Sequence, residues 1–104
     1  MKKIIDGKKY NTETAEEIAS YSNNLPTSDF NWYEESLYKT KNGNWFIAGN
    51  GGAMSGYSES CGNNCWGGSS DLRPVTNDEA KSWLEEHDEI DALETYFKDD
   101  IIDA

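Results

Sequence analysis

The groups best equipped for chemistry in this chain are two thiols, one imidazole and a crowd of carboxylates. Cys61-Gly62-Asn63-Asn64-Cys65 pairs the thiols across a short loop. A structural zinc takes four ligands, and this pair supplies two. The chain holds two cysteines and one histidine in all, so the set is not completed and no metal is expected. The spacing is also one residue longer than that of a thioredoxin-type redox pair. A local disulfide is disfavoured in a reducing compartment, which leaves two reduced thiols in a loop as the expected state. His87 recurs at helical spacing with Trp83 and Leu84. Packing, or an interaction at a helix C-terminus, accounts for it better than general-base work. No serine, aspartate or cysteine is placed beside it by spacing, so no catalytic residue is expected.

Gly49-Asn50-Gly51-Gly52 has the glycines of a phosphate cradle without its other parts. Ala53-Met54-Ser55 follow where Lys and Ser or Thr are needed. A chain reversal after a strand is the simpler expectation, and no cofactor is implied. Four Trp and six Tyr would suit a stacking platform for single-stranded nucleic acid only inside a basic groove. Lys39, Lys41 and Arg73 are too few to make one, so the aromatics are read as core and no direct nucleic-acid binding is expected.

The carboxylates remain. The stretch 77–103, NDEAKSWLEEHDEIDALETYFKDDIID, carries eleven acids against Lys81 and Lys98, a net of −9 within a whole-chain net of −11. No two carboxylates stand out as an acid/base couple. As a surface they repel nucleic acid and anionic membranes and favour a basic protein partner. The residues expected to meet that partner are Glu85, Glu86, Asp88, Glu89, Asp91, Glu94, Asp99 and Asp100.

The elements that must position these groups can be read in outline. At 104 residues the chain suits one domain, 1–104, with one modest core. Hydrophobic content is 36%, but the aromatics compensate. Lys2 to Asp6 reads as a strand turned by Gly7. Thr14-Ala15-Glu16-Glu17 fits a capping box, and Ala15, Ile18, Ala19 and Ser22 recur at helical spacing, so a helix is expected over 13–22. Asn23-Asn24-Leu25-Pro26 would end it. Asn42-Gly43 predicts a hairpin of strands 33–40 and 45–49. A two-residue turn there pairs Thr40 with Trp45, Tyr38 with Ile47 and Leu37 with Ala48. Both faces of that hairpin are partly apolar, so something is expected on each side. The stretch 49–70 holds seven of the nine glycines and reads as a long loop, or as one hiding a short strand. Asp71 to Thr76 is a strand in which Pro74 wants an edge.

Thr76-Asn77-Asp78-Glu79 is a second capping box, opening a helix over 77–87 with Ala80, Trp83, Leu84 and His87 on one face. Asp88 would cap a third helix, 89–98, burying Ile90, Leu93, Tyr96 and Phe97. The expected fold is α+β, a small antiparallel sheet with a central hairpin packed by three short helices. Only Ile4-Ile5 stand between Met-Lys-Lys and Asp6, far short of a signal segment, and no apolar run reaches membrane-spanning length. The expected location is cytoplasmic.

Four stretches carry a family likeness: residues 3–15 (KIIDGKKYNTETA), 34–40 (EESLYKT), 45–52 (WFIAGNGG) and 77–83 (NDEAKSW). In these the chain resembles a family of small acidic proteins carried by phages and integrated mobile elements of Gram-positive bacteria. The resemblance implies an anti-defence role, anti-CRISPR proteins being among such products, and it transfers no active residue. CRISPR effectors hold nucleic acid in positively charged channels. The expected function is non-enzymatic inhibition of an effector such as Cas9 or Cascade in the host cell. The alternative is a mobile-element accessory or regulatory protein that binds another basic protein.

Overall fold

The computed structural model describes residues 1–26, 28, 29, 31–52, 58–62 and 65–103, the backbone alone at 58–62 and 65–69. It is an α+β fold. Strands β1 (Lys2–Ile5) and β2 (Lys8–Asn11) form a separate antiparallel hairpin. Its turn places Asp6 and Gly7 at φ 51° and 76°, the left-handed pair that matches strand twist. The Thr12 N–H then donates to the Met1 carbonyl at 2.9 Å, closing the open end.

The segment expected as a first helix is instead strand β3 (Glu16–Ser22). Asn11 decides the local geometry. Its side chain accepts from the Glu13 N–H at 3.0 Å, and its carbonyl accepts from the Thr14 and Ala15 N–H groups. These are bonds that can also open a helix, but they close a single turn only, and the chain leaves it extended, with its next backbone groups paired to a neighbouring strand. β3 then pairs with β4 (Tyr33–Lys39), with a bulge between Glu17 and Ala19. Asn24, at φ 62°, ends the strand rather than a helix.

The central hairpin forms, but in a different register. β4 pairs with β5 (Trp45–Gly51) as Lys39 with Trp45, Tyr38 with Phe46 and Leu37 with Ile47. The reason is a three-residue loop. The Gly43 N–H donates to the Thr40 carbonyl at 2.9 Å, and the Thr40 N–H donates to the Asn44 carbonyl at 2.8 Å. Gly43, at φ 85°, takes the left-handed position after a turn instead of the second position within one. A one-residue slip exchanges the faces of one strand against the other. Leu37, Trp45 and Ile47 therefore share one face, and Tyr38, Phe46 and Ala48 share the opposite face.

The glycine-rich stretch holds strand structure. β6 (Ser58–Gly62) pairs with residues 65–68 of β7 (Cys65–Val75), and residues 69–75 of β7 pair with β5. The sheet order is β3-β4-β5-β7-β6, antiparallel throughout. Pro74 faces Phe46 of β5, on a part of β7 that has no strand on its other side among the described residues.

Among the described residues two α-helices follow, rather than three in all. α1 (Asn77–Glu86) starts on the expected capping box, with Thr76 Oγ1 accepting from the Glu79 N–H and Glu79 Oε1 accepting from the Thr76 N–H. α2 (Ile90–Tyr96) leads into one 3-10 turn, Lys98–Asp100. Ala80, Trp83, Leu84, Leu93 and Phe97 of this layer pack on Leu37, Trp45 and Ile47. On the other face Tyr10 packs with Phe46, Ala48 and Leu72. Among the described residues no helix is long and apolar enough to cross a membrane.

Candidate partner-binding face

The acidic face is a by-product of how α1 and α2 bury their other sides. Ala80, Trp83 and Leu84 lie at helical spacing and go into the core. Glu85 and Glu86, next in the chain, are left exposed. Trp83 is fixed further by its indole N–H, which donates to Glu35 Oε1 of β4 at 3.2 Å. Arg73 stands 3.9 Å from the same carboxylate. His87 closes α1, stacked on Tyr21 at 4.0 Å between ring centres and edge-on to Trp83 at 4.5 Å. The sole imidazole is thus held by packing.

Asp88 does not cap a helix. It sits at φ 55° and reverses the chain, while Glu89 occupies the cap position without a side-chain bond. The Glu89 N–H instead donates to the Leu84 carbonyl at 2.9 Å, and this leaves Glu89 half-buried and Asp88 exposed. In α2, Leu93 and Phe97 are buried and Tyr96 is half-buried, but Ile90 is 61% exposed. Ile90 begins α2 directly after that reversal, one turn before the helix meets the core at Leu93. Asp91 and Glu94 are exposed one turn apart, and Asp99 and Asp100 are exposed on the 3-10 turn. The Lys81 ammonium reaches the Asp100 carbonyl at 3.5 Å, joining α1 to that turn.

The eight expected residues do not form one cluster. Glu85, Glu94 and Asp100 line a groove of about 510 Å³ together with Ile90, Leu93, Ile101 and Ile102. Asp91 and Glu94 border a neighbouring hollow with Lys98 and Ile101. Glu86 lies elsewhere, grouped with Asp78, Glu79 and Arg73 beside Trp83. Asp88, Glu89 and Asp99 line none of these three depressions. Sequence reasoning missed Ile101 and Ile102, although an apolar pair directly after an acidic run is a readable signal. It placed Ile90 in the core, whereas Ile90 belongs to the groove.

Among the described residues none of the eight carboxylates has a cation within 4 Å; the ion pairs run from Lys3 to Asp71 and from Arg73 to Glu35. The Glu79 carboxylate, held by the Thr76 backbone N–H, sits below the usual carboxylate range. Tyr33 is pushed up by burial, and the Tyr21 hydroxyl beside it and the charges of Glu35 and Glu86 push the same way. Among the described residues no three His, Cys, Asp or Glu side chains converge for a metal. The side chains of Cys61 and Cys65 lie outside the described residues. The outward carboxylates set a negative field over this shaped surface. No protein-family model, curated protein or solved structure matches this chain.

Proposed function

We propose that this protein is a non-enzymatic inhibitor of a bacterial CRISPR–Cas defence complex. It acts in the host cytoplasm by seating its acidic helical layer on a basic, nucleic-acid-handling surface. The observation that carries the reading is the absence, among the described residues, of ion-pair partners for the outward carboxylates of 85–100. A net of −9 over 77–103 repels itself, and a cationic partner relieves that repulsion. The layer is also stiff, because Trp83, Leu84, Leu93 and Phe97 anchor it to the sheet. A stiff array of negative charge can stand in for phosphates in a channel built to hold nucleic acid. The choice of a CRISPR effector as target rests on the family resemblance, and effectors such as Cas9 and Cascade carry surfaces of the required sign.

The test is inhibition of purified effectors, with binding followed across a salt series. Affinity falls as salt rises, since exposed charges are screened over about 8 Å at physiological ionic strength. The double variant Glu85→Lys, Glu94→Lys weakens inhibition by roughly tenfold or more. Glu13→Lys with Glu17→Lys changes the net charge equally on another part of the surface and leaves inhibition nearly intact. Equal loss from both pairs would mean that bulk charge alone matters. Tight binding to a different basic protein, with every effector unaffected, would replace this reading with the mobile-element accessory role.

A further inference from the structure

Apolar residues that the core leaves over collect beside the acidic face. Ile90 is 61% exposed, Ile101 41% and Ile102 89%. One exposed isoleucine is ordinary. Three around one hollow, with the buried Leu93 beneath, form a patch of the kind that marks an interaction site. The hollow, about 510 Å³, has room for a large side chain. Glu85, Glu94 and Asp100 stand around it, and among the described residues Lys81 is the cation that lines it. Lys81 is turned toward the Asp100 carbonyl.

We infer that this groove takes an amphipathic basic segment of a partner protein. One apolar side chain seats among Ile90, Leu93, Ile101 and Ile102, and flanking Lys or Arg side chains reach Glu85, Glu94 and Asp100. The inference rests on reading the helical layer as a partner-binding face, and it narrows the partner from any cationic surface to a peptide with both chemistries. Charge complementarity selects this occupant over the others. Nucleic acid and anionic lipid bring the same sign as the rim. A second copy of this chain would bring its own carboxylates against these. A purely apolar segment would desolvate the rim carboxylates with nothing to pair them. A helix with apolar residues three and four apart, and lysines between them, presents both groups at once.

The probe is a short synthetic peptide with Leu at helical spacing and Lys between, titrated into the full chain by calorimetry and by amide chemical shifts. Two comparison peptides carry Ser in place of each Leu, or Glu in place of each Lys. The Lys/Leu peptide binds, with shifts centred on 81–102. Its Ser counterpart binds at least tenfold more weakly, and the Glu counterpart does not bind. Ile90→Ser and Ile102→Ser each lower affinity by roughly tenfold, the share of one buried aliphatic side chain. Both positions are exposed, so the melting temperature holds; Ile102→Ser, at 89% exposure, is the variant that cannot disturb the core. Equal binding of the Leu and Ser peptides, unaffected by either isoleucine variant, would overturn the groove in favour of charge alone. So would self-association, or capture by anionic vesicles, that Ile102→Ser abolishes. Failure here is separable from failure of the proposed function. If Ile102→Ser inhibits an effector as well as the parent does while the Glu85/Glu94 reversal does not, the acidic face survives without the groove. If the peptide binds but no effector is inhibited, the groove survives without that target.

Discussion

The two faces of the central sheet are held by different means. On one, five residues from α1, α2 and Phe97 just beyond it pack on Leu37, Trp45 and Ile47, which gives eight buried residues in a single cluster among the described residues. On the other, four are buried among the described residues, and Tyr10 is the one of them that comes from the β1–β2 hairpin. The larger cluster spreads its burial over many contacts, so each can give a little. The smaller one centres on a single ring. Phe46 is fully buried, stacked on Tyr38 at 5.0 Å and edge-on to Tyr10 at 5.5 Å. A face with fewer buried groups opens at lower free energy. The difference teaches that the N-terminal hairpin is an attachment, whereas the helical layer is part of the domain's main core.

The largest expected effect comes from removing that central ring. Phe46→Ala should cost about 3–5 kcal/mol, the range for emptying a buried phenylalanine site. Urea unfolding at unchanged slope measures it. A loss under about 1 kcal/mol would mean the ring's surroundings collapse freely, and the face would not depend on it. Tyr10→Ala comes next, at roughly 2–3 kcal/mol for the burial it forfeits. Its signature should be local. Amides of 2–11 lose hydrogen-exchange protection, while those of 45–51 and 80–97 keep theirs. A parallel loss across α1 and α2 would show that both faces unfold as one unit and that the hairpin is no separate attachment.

How much of this could be read beforehand follows the reach of each signal. The α1 start was legible because all its determinants lie within four residues, Thr76 to Glu79, and each meets its partner there. Thr14 to Glu17 carries the same cap pattern, and it failed because the turn forms upstream, stops after one round and hands the chain to a strand ladder. Asn11 takes the Glu13, Thr14 and Ala15 N–H groups, and β4 supplies β3 with a ladder that no local window contains. In the hairpin, Asn42-Gly43 announced a reversal without specifying the loop length. Register was set by Thr40 bonding Asn44 and Gly43, a choice between two loops of similar local chemistry. Two faces needing cover were legible from alternation alone. The acidic surface was legible as charge and illegible as shape. Whether Glu85 neighbours Glu94 or Glu86 depends on how α2 folds back on α1, and the left-handed Asp88 governs that.

The legible cap supplies a third test. Thr76→Ala removes the Oγ1 that accepts from the Glu79 N–H at 3.1 Å, at a cost of about 1 kcal/mol. The loss belongs to the helical face, so exchange should rise at 77–80 and stay unchanged at 2–11. Thr76→Asp restores a capping acceptor and should recover most of the loss. If it recovers none, the cap's contribution is not the side-chain bond.

The smallest effect separates the faces by sign. Asp71 ties β7 to the N-terminal hairpin: Lys3 donates to its Oδ1 at 3.0 Å, and the Leu72 N–H donates to the same oxygen at 2.8 Å. Chiefly through Lys3, these hold its carboxyl below the usual range. A depressed carboxylate pKa stabilises the fold fully above the unfolded value, about 3.9 for Asp, and the benefit is lost as pH falls through the folded value. The pair is largely exposed, so its worth is at most about 1 kcal/mol. Salt acts at neutral pH, where this carboxyl stays ionised throughout. Screening weakens the attraction between Lys3 and Asp71. On the helical face the same screening relieves repulsion among carboxylates that have no cation partners among the described residues. Raising salt at pH 7 should therefore lower exchange protection at 2–11 and raise it at 80–97. Asp71→Asn should abolish the salt response of the hairpin, remove its own step from acid unfolding and leave the helical response as it was. Salt shifts of the same sign on both faces would mean that the net charge of the whole chain, rather than its local arrangement, governs stability.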